Sequence, residues 1–167
     1  MSPNSTSPAA ARRELFPATA GGLRLGLGTA PLGNLFTAVP DSQAQAVFAQ
    51  ALSDGCRTFD TAPHYGNGLA EHRLGPALRG QGAVVVSTKV GRILTPDAGT
   101  PRAQHSYVDV LPFRQHFDYG RAATRRSIED SLQRLGRARI DVAYVHDCCA
   151  VTHGAQAPQV LRQVLDE

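Results

Sequence analysis

Residues 83–92 read Ala-Val-Val-Val-Ser-Thr-Lys-Val-Gly-Arg, with glycines at 82 and 91. Three consecutive valines followed by Ser and Thr show no apolar/polar alternation. That is the pattern of a strand over Ala83–Thr88 buried on both faces, and such strands belong to parallel sheets covered by helices. The flanking segments agree with this. Upstream, Leu69–Leu78 has helical spacing and stops before Gly80, and Arg57–Asp60 (RTFD) is a second strand. The loop between them, Thr61–Gly68, carries Pro63, Gly66 and Gly68 as breakers. Further upstream, Ala44, Val47, Phe48, Ala51 and Leu52 recur at helical spacing, with Asp41 as the expected N-cap and Gly55 as the C-cap. Leu23–Gly28 reads as a first strand. Downstream, Gly120–Leu135 is a helix with Ala123, Ser127, Ile128, Ser131, Leu132 and Leu135 on one face. Ile140–Val145 is a fourth strand, and Ala157–Leu165 begins another helix. Gly91–Tyr119 sustains no period and is expected to be a long functional loop. The order β-α-β-α-β-α-β-α predicts an α/β protein of parallel βαβ units, in a doubly wound sheet or a barrel.

The 167 residues are 42% hydrophobic and 19% charged, which suits a soluble globular domain. No run of about 18 apolar residues occurs, so no membrane span is expected. Met1–Ala11 is rich in Ser, Pro and Ala and lacks the apolar core of a secretory signal. Residues 1–20 are expected to be a disordered leader, and residues 21–167 the folded domain. The net charge of +3 comes from 17 basic and 14 acidic residues, with the arginines scattered. Without an aromatic-interleaved basic stripe, no nucleic-acid partner is predicted. Cys56, Cys148 and Cys149 have no framework spacing, which points to a reduced, cytoplasmic setting.

Of the 17 basic residues only Lys89 is a lysine. A compact ammonium does work that a guanidinium cannot, so its placement carries information. Asp60 ends the second strand, Lys89 the third and His146 the fourth, and parallel β/α folds gather such positions on one face. Tyr65, five residues beyond Asp60, can fold back over that face. A free phenol ionises near pH 10 and transfers protons poorly at neutrality, but a neighbouring ammonium stabilises the phenolate. A carboxylate holds the ammonium, and a neutral imidazole orients a substrate oxygen. That is a proton-transfer site for a carbonyl/alcohol couple. None of these groups carries a hydride, so a cofactor must. Singly, Asp60 reads as a strand-end cap, Tyr65 as a packed aromatic and His146 as a satisfied core imidazole; jointly they read as a site. No metal is predicted: His64, His72, His105, His116 and His153 lack ligand spacing, and only a His64, His146 and Asp147 set is permitted by strand-end position. Glu71 and Arg73 are expected to face solvent on the second helix, and Cys148 and Cys149 to be bystanders. Neither GxGxxG nor GxxxxGK occurs.

Three blocks, FDTAPHYGNGLAEHRLG (59–75), STKVGR (87–92) and SIEDSLQRLGRARIDVAYVHD (127–147), together resemble the aldo-keto reductase family. The resemblance runs from Leu23 to Asp147. It implies a (β/α)8 barrel, of which this is the N-terminal half, and NAD(P) bound without a Gly-rich dinucleotide motif. It also implies an Asp-Tyr-Lys-His tetrad: Tyr65 as general acid/base, Lys89 acting on its phenol, Asp60 holding Lys89, and His146 orienting substrate. Thr29, in GLGTAP, and Asp60 are implied to lie beside the nicotinamide. APHYG, the VGR after Lys89 and the long segment to Tyr119 resemble the aldose or L-fucose dehydrogenase and pyridoxal dehydrogenase branch. That implies oxidation of a sugar's anomeric hydroxyl to a lactone, or of a related hemiacetal.

A full barrel takes about 250 residues. The domain is therefore expected to be truncated after about four β/α units, without the loops that grip the cofactor's phosphates. Two readings follow. The chain is the catalytic part of an oxidoreductase acting on a small carbonyl or sugar. Alternatively, it is a catalytically incompetent half barrel or interaction module, needing a second chain or self-association to cover its edge.

Overall fold

A computed structural model of the chain describes residues 25–165. The expected leader at residues 1–20 and Leu23 of the first strand lie outside them. In chain order the elements are β1 (Leu27–Gly28), a 3-10 turn (Ala30–Gly33), α1 (Asp41–Ser53), β2 (Thr58–Asp60), α2 (Leu69–Leu78), β3 (Val85–Val90), β4 (Arg92–Pro96) and β5 (Phe113–Phe117). Then come α3 (Arg121–Leu135), β6 (Val142–Val145), α4 (Ala150–His153), a second 3-10 turn (Gly154–Gln156) and α5 (Ala157–Leu165). Among the described residues no helix is long and apolar enough to cross a membrane.

Four strands form one sheet in the order β1-β2-β3-β6, and each neighbouring pair is parallel. Spatial order follows chain order without reversal. A doubly wound sheet reverses at a switch point, so of the two architectures the sequence allows, this is the wall of a barrel. As its composition predicts, β3 is buried along almost its whole length, with only Lys89 partly open. Val86 and Phe59 pack with Phe48 of α1, Leu74 and Leu78 of α2 and Leu135 of α3 in the core between sheet and helices.

Three sequence expectations need correction. Asp41 is the first residue of α1 and not its cap. Pro40 holds the cap position, and the Asp41 carboxylate is drawn instead to Arg73, 2.7 Å away. Glu71 and Arg73 do not face solvent: Glu71 is fully buried and Arg73 is 8% exposed. The reason is that α2 packs against both α1 and α3, leaving only His72 and Pro76 outward. Arg73 donates to the carbonyls of Leu32 and Val39 and to Asn34 Oδ1, tying down the chain after β1. Glu71 accepts from Thr88 Oγ1 and Arg134 Nε, both at 2.6 Å, joining α2 to β3 and α3.

The third correction concerns Gly91–Tyr119, which is not a structureless loop. β4 and β5 pair antiparallel from Arg92↔Phe117 to Pro96↔Phe113. Strand partners separated by residues 97–112 leave no local period to read. The connecting stretch is anchored over the strand ends: Leu111 N–H donates to Gly66 O, Phe36 N–H to Ser106 O and Val108 N–H to Asn34 O. Gly91, at φ +99°, provides the sharp turn from β3 into β4, and the Tyr119 ring lies where a side chain at residue 91 would sit.

Candidate active site

The C-terminal ends of the sheet strands assemble one polar cluster. Asp60 is the last residue of β2 and Lys89 the last but one of β3, one step inside the strand rather than beyond it. Lys89 Nζ donates to Asp60 Oδ2 at 2.6 Å and to Thr61 O at 2.9 Å. Ser87 Oγ donates to the other Asp60 oxygen at 2.7 Å. The lysine side chain is 14% exposed and the aspartate 37%, so the ammonium is largely fixed while the carboxylate keeps contact with solvent.

Tyr65 folds back over these groups, as its spacing from Asp60 predicts. The ammonium of Lys89 lies 4.7 Å from the centre of its ring. Two glycines make this possible: a side chain at Gly33 would come within 2.7 Å of the Tyr65 carbonyl carbon, so only glycine lets the turn after β1 press against the Tyr65–Gly66 backbone. His146, the residue after β6, stands edge-on to Tyr65 with ring centres 6.1 Å apart. Burial pushes its ionisation down to about 4, against the opposing pull of Asp147, so the imidazole is neutral at neutral pH. Its Nδ1 is buried with no hydrogen-bond partner among the described residues. Thr29, after β1, is fully buried; its backbone N–H donates to Asp60 O at 2.9 Å and its hydroxyl is also without a partner.

The structure adds residues that the sequence did not assign to the proton-transfer site. Tyr107, from the segment between β4 and β5, stacks over Tyr65 at 6.2 Å, and its burial pushes its hydroxyl ionisation up. His64 meets Tyr107 at 5.2 Å and His146 at 5.5 Å, ring centre to ring centre. Arg92 Nη2 pairs with Asp147 Oδ2 at 2.5 Å and holds that carboxyl below its usual range against the cost of burial. Tyr119 donates to the His146 carbonyl at 2.8 Å. The alternation of β5, with Phe113 and Gln115 inward and Arg114 and His116 outward, is the one local signal that could have revealed the hairpin. Among the described residues no group of three His, Cys, Asp or Glu side chains is arranged to hold a metal. In the His64, His146 and Asp147 set, Arg92 occupies Asp147 Oδ2 and His146 Nε2 stands 3.7 Å from that oxygen.

The sequence and the fold have counterparts among known proteins. The Aldo/keto reductase family matches residues 24–166, and the chain belongs to that family. Among curated relatives, it is 45% identical over 139 residues to pyridoxal 4-dehydrogenase of Microbacterium luteolum, covering 77% of this chain and 41% of that protein. It is 44% identical over 154 residues to D-threo-aldose 1-dehydrogenase of a Pseudomonas species, covering 86% and 44%. The chain thus spans less than half the length of these relatives. Among solved structures, an aldo-keto reductase from Klebsiella pneumoniae in complex with NADPH superimposes with a TM-score of 0.50 at 28% identity, over 72% of this chain and 34% of that one.

Proposed function

We propose that the chain carries the catalytic residues of an NAD(P)-dependent oxidoreductase that interconverts a sugar hemiacetal and its lactone, or a related alcohol and carbonyl. The observation that carries this reading is the Lys89–Asp60 pair at 2.6 Å beneath the Tyr65 ring, with a neutral His146 beside it. In the oxidative direction Tyr65 acts as general base and takes the proton of the reacting hydroxyl, with the Lys89 ammonium 4.7 Å from its ring centre. Asp60 and Thr61 O hold the ammonium so that it does not retreat into solvent. His146, being neutral, binds the same substrate oxygen without competing for its proton. A nicotinamide bound beside Thr29 and Asp60 would supply the hydride chemistry that no side chain here can. Thr29 fits such a cofactor: its buried hydroxyl, without a protein partner, leaves hydrogen-bonding capacity for a carboxamide edge beside Asp60. The substrate class and cofactor are supported by the names of the aldose and pyridoxal dehydrogenases and by the NADPH of the Klebsiella structure.

The second reading, a half barrel that needs another chain, rests on one observation. A mostly apolar groove of about 540 Å³ lies beside β6, lined by Val90, Tyr119, Ile128, Ala143 and Val145 together with Arg121, Thr124, Arg125 and Glu129. The test of the first reading is steady-state oxidation of L-fucose with NAD and with NADP. Tyr65→Phe is expected to lower kcat by about 10²–10⁴. Turnover that survives this substitution would remove Tyr65 from the chemistry.

A further inference from the structure

We infer that His64 is a specificity residue: the hairpin fixes its tautomer so that a bare Nε2 accepts a hydrogen bond from a substrate hydroxyl on the carbon next to the reacting one. A chain of amides with forced orientations leads from the hairpin to the ring. Asn67 Nδ2 donates to the carbonyls of Leu111 and Phe113 at 2.9 and 2.6 Å, so its Oδ1 is an acceptor. Gln115 Nε2 donates to that oxygen at 2.6 Å, and also to the His64 carbonyl at 3.3 Å. Gln115 Oε1 is therefore an acceptor as well, and Arg92 Nη1 donates to it at 3.2 Å. His64 Nδ1 lies 2.8 Å from the same oxygen and must carry the hydrogen.

A neutral imidazole has one ring proton. Burial and the Arg92 charge push the ionisation of His64 down to about 4, so the ring is neutral at neutral pH. Its Nε2 is then a lone-pair acceptor, and it has no hydrogen-bond partner among the described residues. The ring sits 5.5 Å from His146 and 6.3 Å from Tyr65, the two groups assigned to the reacting oxygen. An acceptor in that place rewards a donor one carbon away and gives nothing to a hydrogen. The site thereby selects a sugar bearing a free hydroxyl at that carbon over its deoxy counterpart. Gln115, Asn67 and Arg92 are positioning residues in this scheme, acting only through the imidazole.

The assignment rests on the oxidoreductase reading for its substrate, but its test does not rest wholly on turnover. In the full chain labelled with nitrogen-15 histidine, the His64 signals are expected to report a neutral ring protonated at Nδ1. Adding L-fucose should move the Nε2 resonance toward hydrogen-bonded values, and 2-deoxy-L-fucose should not. A ring protonated at Nε2, or no response to saturating L-fucose, overturns the proposal whatever the activity. In kinetics, wild type is expected to favour L-fucose over 2-deoxy-L-fucose by about three- to tenfold in kcat/KM, the worth of one neutral hydrogen bond. His64→Asn keeps a donor toward Gln115 and lacks Nε2. It should abolish that preference, because turnover of L-fucose falls further than turnover of the deoxy sugar. An equal fall on both sugars would mean that His64 only supports the fold. If no sugar is oxidised and Tyr65→Phe is silent, the oxidoreductase reading fails, and the ring-nitrogen signals still decide the assignment of His64.

Discussion

At the scale of single residues, Lys89 shows most clearly why type matters more than charge. Its Nζ serves Asp60 and Thr61 O while staying 4.7 Å from the Tyr65 ring. A guanidinium keeps the charge but is planar and larger, and it would displace the ring or abandon the carboxylate. Lys89→Arg is therefore expected to lower kcat about 10²-fold, the effect of misplacing a reacting group by about 1 Å, with an unchanged circular dichroism spectrum. Activity within a few-fold of wild type would show that a cation of any shape suffices. His146 gives a pH prediction. Its ionisation lies at about 4 in the folded chain against a reference of 6.5, because burial penalises the charged ring. Between those values the unfolded chain binds the extra proton, so stability falls as pH falls. Urea unfolding at pH 7 and pH 5 should show His146→Gln losing about 1–2 kcal/mol less than wild type over that interval. Asp60, Lys89 and His146 were legible in the sequence because strand ends mark themselves, and Tyr65 because its spacing brings it back to them. His64 and Gln115 were not, since they meet across 51 residues of chain. Glu71 was misread because a charged residue in a polar-looking helix gives no local sign of burial.

At the scale of elements, that buried Glu71 becomes the joint of the structure. It is fully buried and receives Arg134 of α3 at 2.6 Å and Thr88 of β3 at 2.6 Å. Removing the arginine leaves an uncompensated carboxylate in the core. Arg134→Met is expected to destabilise the chain by about 3–5 kcal/mol, read as a shift in the urea midpoint. Adding Glu71→Met to that variant should recover much of the loss, because two apolar side chains can replace a buried pair. If the double variant is no more stable than the single one, the ionic joint specifies the packing of α2 and is not merely compensated charge. Elements also divide what the sequence reveals from what it hides. α2, α3 and β3 follow from periodicity and β-branched composition over residues close in sequence. The β4–β5 hairpin does not, because its pairing joins residues on either side of the 97–112 connection.

At the scale of the molecule, the sheet and its surface predict how the isolated chain behaves. Among the described residues β6 is paired on one side only, by β3. Tyr144 on that strand is 50% exposed, and the apolar groove of about 540 Å³ runs beside it. The chain spans 41% and 44% of its two dehydrogenase relatives. An apolar groove and an unpaired edge in water favour association. Hydride transfer also depends on positioning, which supplies a large part of the rate. The 167-residue chain alone is thus expected to sediment as a concentration-dependent mixture and to bind NADPH weakly by fluorescence titration. A polypeptide comprising the part of the D-threo-aldose 1-dehydrogenase that lies beyond the matched region should form a defined complex with it and raise NADPH affinity. Val145→Asp, which places a charge in the groove, should block that complex while leaving the spectrum of the isolated chain unchanged. The opposite outcome is equally readable. A monodisperse monomer that binds NADPH tightly and turns over L-fucose at ordinary enzyme rates, on the order of 1–10³ per second, would show that the described wall of the barrel suffices and that the groove beside β6 has no partner to take.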